Sequence, residues 1–409
     1  MTIKKIVAII IIFILTTIAW MILGASNLAR TDKSFVSLKG QVANLYGSRL
    51  NIESPRCYTK TAKFREETVN NVTRVVEYFD IQNHELIKSD IQINVYLDQR
   101  KKGNLWFPTF KARFEGTYIF RIDETSANDN ILLFSTLNSA NSIYNNLHLN
   151  INGKDIDNVL PLINRQEIPV TPLDDNTVLL SISYDATGME DIHYQITANR
   201  DSIAQINDFN LVISTDFELH DFPSNMMSPT HSIKKEKGYD LIWELNKTIT
   251  GKNIGLIIPN KLNPGEIITR VSFFAPISLL FFFVVLLMFS VLLKINLHPM
   301  HFFFLAATFF SFHLMFSYFS DQINIYLSFA ISAVISLILT ITYMRLISPK
   351  KMAFIYSPAI QFIYLIIFSF SFFFDGITGI IVTICAVITL FILMQVTGRV
   401  NWDEEFGKK

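Results

Sequence analysis

The sequence predicts a membrane protein of mixed α and β structure, and three observations support this class. Apolar residues are concentrated in the first two dozen positions and in the last third of the 409 residues. Between these regions, apolar and polar residues alternate with the period of two that is typical of half-buried strands. From position 271 to 293 no side chain is charged, and about 20 apolar residues suffice for a helix to cross a bilayer.

These observations divide the chain into three segments. Residues 1–25 are predicted to form an N-terminal transmembrane anchor. Residues 26–269 are predicted to form a large extracytoplasmic domain that is mostly antiparallel β and sandwich-like. Residues 270–409 are predicted to form a C-terminal bundle of five transmembrane helices with a short cytoplasmic tail, which gives six spans in all.

The N-terminal segment has the features of an export signal. Lys4 and Lys5 precede the apolar run 6–23. This run is nearer to a full span than to the roughly 7 to 15 residues of a cleavable signal core, so we expect an uncleaved anchor. Cleavage after the small residues at 24–26 is the alternative, and the segment that follows is exported in either case.

Strands are predicted throughout the exported segment. The clearest run is 90–98, where Ile91, Ile93, Val95 and Leu97 alternate with polar residues. Similar runs occupy 111–121, 131–137, 147–151, 177–184, 193–198, 209–217, 239–245 and 253–259. One helix is predicted from the apolar stripe of Val69, Val72, Val76 and Phe79. The segment is long enough for one large or two small sandwiches, and both remain open.

The exported segment shows no recognisable catalytic or metal-binding pattern. Its histidines lack metal-ligand spacing, and Cys57 has no histidine close in sequence, so we predict no catalytic residue, metal or cofactor. The formal net charge is +0, which gives no reason to expect nucleic acid as a partner. The loop 216–229 mixes acidic, aromatic and Met residues, and we expect it to fold back on its own domain rather than to form a contact surface.

The C-terminal part contains further apolar spans at 301–319, 325–344, 354–374 and 377–396. Basic residues concentrate in cytoplasmic loops of membrane proteins, so the N-terminus and C-terminus are predicted to be cytoplasmic and residues 26–269 periplasmic. That orientation places on the cytoplasmic side Lys294, Arg345, Lys350, Lys351, Arg399, Lys408 and Lys409.

Polar residues inside these spans are the candidate functional positions. His313 is the clearest ionisable one, and it either handles protons or substrate or bonds as a neutral imidazole to a neighbouring helix through Gln361 or Gln395. The bonded imidazole is the favoured interpretation. His298 and His301 flank Pro299, where we expect a helix start rather than a metal site.

Three charged residues mark the outer ends of the predicted spans. Arg270 lies at the start of the second span, and Asp321 and Asp375 lie in the short outer turns. We hypothesise that these charges connect the β-rich domain to the bundle. Such exposed pairs contribute at most about 1 kcal/mol each.

The chain resembles the CreD family of bacterial inner-membrane proteins. The segments that carry the resemblance are TRVSFFAPISLLFFF from Thr269, LHPMHFFFLAATFFSFHL from Leu297 and FILMQVTGRVNW from Phe391. Weaker matches begin at Phe209 and Gly238. The resemblance implies the inner membrane as location and a role in cell-envelope integrity, and it supplies no catalytic residues.

Three functions are compatible with the sequence. The favoured one is a non-enzymatic inner-membrane protein whose exported domain contacts an envelope protein or lipid. Its other predicted partner is the lipid bilayer. The sequence leaves its oligomeric state open. The alternative is a transport or lipid-handling permease, which needs His313, Gln361 and Gln395 to converge on one cavity. A periplasmic hydrolase would need Cys57 or a serine beside a histidine in a cleft.

Overall fold

The chain forms two compact units in the computed structural model. Residues Met1–Ser37 and Leu262–Lys409 make up one, here called the helical unit, and Leu38–Lys261 make up the other, the β unit. The structure describes residues 3–69, 72–123, 131–135, 137, 143–164, 166–196, 204–293, 295, 297–374 and 376–398.

Six helices are long and apolar enough to cross a membrane. The helices of the described residues are α1 (Ile3–Tyr46), α2 (Leu160–Asn164), α3 (Pro264–Leu292), α4 (Pro299–Phe319), α5 (Ile325–Ile347), α6 (Met352–Phe373) and α7 (Thr378–Thr397). All except α2 are candidate spans. The predicted arrangement of one N-terminal span and a C-terminal bundle of five is therefore confirmed.

The helix α1 continues well beyond the predicted apolar run 6–23. Residues 26–46 contain no proline, and their polar side chains are compatible with a helix that leaves the hydrocarbon. Gly47 ends the helix because it adopts a φ of 95°, and its N–H donates to the carbonyl of Ala43 at 2.9 Å. A glycine with positive φ just after the last turn is a common helix terminator.

Aromatic side chains fill the interior of the helical unit. The rings of Phe282 and Phe309 lie 4.5 Å apart, and both residues are fully buried. The Phe triplet at 302–304 is divided, since Phe302 is buried whereas Phe303 and Phe304 are exposed. Successive residues point to different sides of a helix, so each triplet serves both the core and the outer surface.

The β unit consists of short and long strands. They are β1 (Leu50–Glu53), β2 (Arg56–Val69), β3 (Val72–Asn83), β4 (Glu85–Leu97), β5 (Arg100–Lys102), β6 (Leu105–Phe107), β7 (Thr109–Arg121), β8 (Ile131–Phe134), β9 (Tyr144–Ile151), β10 (Lys154–Asp155), β11 (Ile168–Val170), β12 (Thr177–Met189), β13 (Asp191–Gln195), β14 (Ala204–Ile206), β15 (Asp208–Thr215), β16 (His231–Lys234), β17 (Tyr239–Leu245), β18 (Thr248–Thr250) and β19 (Ile254–Ile257).

The largest sheet has eight strands in the order β10-β9-β12-β7-β4-β15-β17-β16. All its neighbours are antiparallel except β4 and β15, which are parallel. Its buried face shares one core with the three-stranded sheet β1-β13-β19 and with strands of the four-stranded sheet β11-β8-β2-β3. The predicted antiparallel-rich β domain is thus confirmed, and it has one core rather than two.

The predicted helix around residues 69–79 is wrong. This segment is β3, which pairs with β2 in unbroken antiparallel register from Val69↔Val72 to Tyr58↔Asn83. The apolar spacing of three and four residues was compatible with a helix, but β3 is rich in Val, Thr, Tyr, Phe and Ile. β-branched and aromatic residues favour the extended conformation.

The loop 216–229 folds back on the β unit, as predicted. Asp221 pairs with Ile257 and Met227 with Ile254 through isolated bridges to β19. The buried indole of Trp243 donates its N–H to the carbonyl of Met227 at 3.0 Å. The loop therefore completes the core at the end of the three-stranded sheet.

Candidate functional site

His313 lies on α4 and is 1% exposed. Its Nδ1 is 2.9 Å from the carbonyl oxygen of Phe309, one turn earlier in the same helix. A carbonyl only accepts, so Nδ1 carries the proton and Nε2 is the acceptor of the neutral ring. The predicted hydrogen bond to a neighbouring helix through Gln361 or Gln395 is not formed.

The ring of His313 also has an aromatic neighbour on another helix. The ring of Trp20 on α1 packs edge-on against the imidazole, with centroids 5.4 Å apart. Among the described residues neither Trp20 Nε1 nor His313 Nε2 has a hydrogen-bond partner. A buried donor and a buried acceptor are thus adjacent without being bonded to each other, and groups of this kind are costly in an apolar surrounding.

Gln361 belongs to a separate polar network that joins α4, α5 and α6. Its Nε2 donates to Ser336 Oγ at 2.8 Å, and Ser336 Oγ donates to the carbonyl of Thr308 at 2.7 Å. The hydroxyls of Thr308 and Thr340 are 2.9 Å apart. Hydrogen bonds of this kind hold membrane helices together. Gln395, on α7, is exposed on the surface of the helical unit.

The three predicted positions therefore have different surroundings. Among the described residues, His313 and Gln361 share no hydrogen-bond partner, and Gln395 points outward. The helix α6 has another unusual feature, since π-helical turns cover Met352–Tyr356 and Phe362–Ile367. Such turns release backbone groups from the regular ladder, and the Ser278 hydroxyl of α3 donates to the Tyr364 carbonyl there.

A polar cluster that the sequence did not indicate joins α1, α3 and α4. We call it the Asn27 cluster. The amide nitrogen of Asn27 donates to Ser272 Oγ at 3.3 Å. Its amide oxygen accepts from Ser317 Oγ at 2.5 Å and from Arg30 Nη2 at 2.9 Å. Arg30 Nη1 also lies 2.9 Å from Asp321 Oδ2. Asn27 is 2% exposed, so its bonds form inside the unit.

Small residues bring α1 and α3 close together beside this cluster. A Cβ atom on Gly24 would lie 3.0 Å from the ring of Phe273, and a Cβ atom on Gly265 would overlap with the side chain of Thr31. Small residues at such positions allow helix backbones to approach within a membrane. The first part of the N-terminal helix therefore packs within the helical unit.

The three outer charges have different surroundings. Asp321 pairs with Arg30, as described above. Arg270 lies 4.0 Å from Glu266 within α3. Asp375 lies outside the described residues. The hypothesis that these charges connect the two units stays a prediction.

His298 and His301 have structural roles at the start of α4. The side chain of His298 caps the helix by accepting from Met300 N at 3.3 Å, and Pro299 is the first helical residue, as predicted. His301 Nδ1 lies 2.8 Å from the Tyr343 hydroxyl on α5. Within the described part of the chain, no group of three or more His, Cys, Asp or Glu residues could hold a metal ion.

Comparison with protein families agrees with this architecture. Residues 241–403 match the family model of the inner membrane protein CreD. The match confirms the resemblance seen in the sequence over that segment, which contains α3 to α7. A comparison with curated proteins finds no match to the chain. The six candidate spans and the CreD match together support a multi-pass membrane protein, and the matched family is one of the inner membrane.

The CreD match separates the polar positions into two groups. It includes Ser272 and Ser317 of the Asn27 cluster, as well as His313 and Gln361. Asn27 and Arg30, which complete the cluster from α1, lie before the matched segment. Two of the matched helices are thus hydrogen-bonded to a part of this chain that lies outside the match.

The β unit contains a cavity of about 230 Å³, and Cys57 and His84 both line it. The hairpin of β2 and β3 places these two residues side by side, since the N–H of His84 donates to the carbonyl of Cys57 at 2.8 Å. His84 Nε2 lies 2.8 Å from Thr59 Oγ1, and its Nδ1 has no partner among the described residues. Burial lowers the pKa of His84, and the nearby Asp123 offsets this only in part.

Cys57 is a poor nucleophile despite this neighbourhood. It is 1% exposed, and burial raises its pKa to about 12. Among the described residues its thiol has no hydrogen bond to His84. A reactive cysteine needs a nearby base or positive charge that stabilises the thiolate. The geometry therefore gives no support to a cysteine hydrolase.

We expect Cys57 to resist alkylation in the folded protein. In a Cys385→Ala variant at pH 8, a pKa of about 12 leaves roughly one thiol in ten thousand as thiolate, so iodoacetamide should react at least about a hundredfold faster after unfolding. Mass spectrometry measures the labelled fraction over time. An added Lys154→Cys substitution supplies an exposed thiol as control. Equal rates at the two positions in the folded protein would contradict the buried site.

Proposed function

We propose that the chain is a non-enzymatic inner-membrane protein that contributes to cell-envelope integrity or to an envelope stress response, and that its β unit contacts an envelope component. The observation that carries this proposal is the use of buried polar groups in the helical unit. Among the described residues they join neighbouring helices in two groups, the Asn27 cluster and the Gln361 network, which share no hydrogen-bond partner.

The proposal includes an orientation, with both termini in the cytoplasm and residues 26–269 in the periplasm. The support is the distribution of basic residues, because Lys4 and Lys5 precede the first span and Lys350 and Lys351 lie between α5 and α6. Alkaline phosphatase fused after Asn152 should be active, and the same enzyme fused after Lys351 should be inactive. The reverse pattern would overturn the orientation.

The β unit is suited to binding because it carries its own core and still exposes large apolar side chains. Ile249 is 71% exposed and Ile233 is 54% exposed. A photo-reactive amino acid at either position should form an adduct with an envelope protein or lipid in intact cells, and one at the exposed Lys154 should not. Absence of adducts at both apolar positions would remove the support for contact through these surfaces.

Substitution in the helical unit tests the proposal against a permease. We expect a strain that lacks the protein to take up more of a hydrophobic dye. His313→Phe combined with Gln361→Leu should restore the barrier, because neither side chain handles a substrate. Gln395→Leu, on the exposed surface of α7, is the matched control, and immunoblots of membranes establish equal amounts.

A permease is the second candidate, and one observation favours it. The Oε1 atom of Gln361 and the Nε2 atom of His313 are buried without partners among the described residues, and polar groups of this kind inside a membrane often serve transport. If the double variant reaches normal amounts but fails to restore the barrier while Gln395→Leu restores it, the permease replaces the non-transporting function.

A further inference from the structure

Strands β2 and β3 form a long hairpin with exposed side chains. In the described part of the chain, β8 pairs with β2 from Arg56 to Thr59, whereas β3 pairs with β2 along its whole length. We call residues 60–69 and 72–81 the arm. Nearly all of its described side chains are exposed. An exposed ribbon of few strands is marginally stable in water, so the arm would gain from pairing at its outer edge.

The two faces of the arm differ in chemistry. Alternate residues of a strand point to opposite faces, so cross-strand partners share a face. One face carries Phe64, Val75, Phe79 and Ile81, which are between 52% and 69% exposed, together with the charged Lys60, Glu66 and Glu77. The opposite face is more polar and carries Lys63, Arg65, Arg74, Val76, Tyr78 and Asp80. On it, Lys63 Nζ lies 2.5 Å from Asp80 Oδ2.

The outer edge of the arm is β3, the last strand of its sheet. Its register with β2 is unbroken, so the edge has no bulge. Its sequence, VTRVVEYFDIQN, contains neither proline nor lysine. Bulges, prolines and charged side chains, especially lysine, are means by which proteins prevent an edge strand from pairing with another chain. This edge has no bulge, proline or lysine, and its charged residues are Arg74, Glu77 and Asp80.

We propose that β3 pairs with β3 of a second copy of this chain, antiparallel and with Glu77 on the twofold axis. This register places Val76 opposite Tyr78 and Val75 opposite Phe79 of the other copy. It also places Arg74 opposite Asp80, and the symmetry repeats each pair. Opposite charges and aromatic–aliphatic pairs directly across two strands are stabilising. The same register keeps the apolar faces of the two arms on one side.

The charge pattern of β3 selects both the register and the partner. A twofold axis through Val76 would place Arg74 opposite Tyr78, and an axis through Tyr78 would place Glu77 opposite Phe79. Among these neighbouring symmetric registers, the axis through Glu77 pairs the only basic residue of β3 with an acidic one. Asp80 uses Oδ2 for Lys63, which leaves Oδ1 for Arg74 of the second copy.

The register has one unfavourable contact, since the two Glu77 side chains face each other. Like charges directly opposite weaken strand pairing. Glu77→Gln should therefore tighten the dimer, whereas most changes at an interface weaken it. The paired arms would form a four-stranded ribbon of β2 and β3 from each copy, and the face that carries Phe64, Val75 and Phe79 would also carry both Glu77 side chains at its centre.

The decisive experiment uses two differently tagged copies of the full chain. Arg74→Asp in one preparation or Asp80→Arg in another places like charges opposite each other twice, so each variant alone should dimerise about tenfold more weakly than the wild type. Coexpression of the two variants restores both opposite-charge pairs, and the tags should then copurify as strongly as in wild type. The variants are the same alone and mixed, so misfolding cannot explain such a recovery.

Disulfide formation in native membranes tests the register. Glu77→Cys places two thiols across the axis, where directly opposed residues have Cα atoms about 4.5 to 5.5 Å apart, within disulfide range. Mild oxidation should link two copies. Thr61→Cys, which is also exposed but lies on β2 away from the edge, should not form this link. No link at Glu77→Cys, no recovery on coexpression, or a link to a different protein would each overturn the proposal.

Discussion

Replacing Gly238 with alanine should destabilise the β unit by about 3 kcal/mol or more. Gly238 lies between β16 and β17 and has a φ of 79°, a conformation that costs other residues about 1 kcal/mol or more. In addition, a Cβ atom would overlap with the backbone oxygen of Thr215 and lie 2.6 Å from its carbonyl carbon. The obstacle is backbone rather than a flexible side chain, so relief requires movement of β15.

The cost of that movement comes from the hydrogen bonds around Thr215. Its hydroxyl accepts from the N–H of Tyr239 at 3.0 Å, and β15 is paired with β17 on one side and with β4 on the other. Pulse proteolysis of the purified full chain in increasing urea measures the free energy of unfolding of the β unit. Cleavage at the same urea concentration as in wild type would contradict the close approach.

Gly153→Ala is the matched control. Gly153 has a φ of 81°, and a Cβ atom there would meet nothing within 4 Å. Alanine should therefore cost only the conformational strain, about 1 kcal/mol. The difference between the two variants isolates the contact with Thr215. Equal losses would show that this contact does not constrain the turn.

Patterns within a single segment of the sequence predicted the membrane spans and the main strands well. The six spans follow from runs of apolar residues, and strands such as β4, β7 and β12 follow from strict alternation. Where two local signals conflicted, at residues 69–79, spacing favoured a helix and composition favoured a strand. The pairing of β3 with β2 decided the outcome, and the sequence does not reveal such pairing.

The length of α1 and the candidate sites could not be predicted from any single segment of the sequence. The apolar run ends near position 23, but the helix continues because nothing breaks it before Gly47. Asn27 meets Ser272 and Ser317, which follow it by 245 and 290 residues. The cavity with Cys57 and His84 likewise depends on the register of a hairpin. The available signal for the Asn27 cluster was the asparagine just after the apolar run, since a polar side chain so close to the hydrocarbon requires hydrogen-bond partners.

Replacing Asn27 with leucine should lower the stability of the helical unit by about 1–3 kcal/mol. The change removes the acceptor of Ser317 and Arg30 and the donor to Ser272, and it leaves buried polar groups without partners. Measured hydrogen bonds between membrane helices contribute about 0.6 kcal/mol on average and up to about 1.7 kcal/mol. Three bonds that share one side chain therefore give a loss in this range. Unfolding of the purified protein in mixed micelles with increasing SDS measures it.

The control for this change is Ser26→Leu, one residue earlier on the same helix. Ser26 is exposed, so leucine there adds apolar surface without breaking the cluster, and stability should stay within about 0.5 kcal/mol of wild type. A second comparison separates charge from hydrogen bonding. Asp321→Asn removes the ion pair with Arg30, whose two side chains are 37% and 46% exposed, and should cost less than about 1 kcal/mol. If Asp321→Asn cost more than Asn27→Leu, the exposed ion pair rather than the buried amide would hold α1 in the bundle.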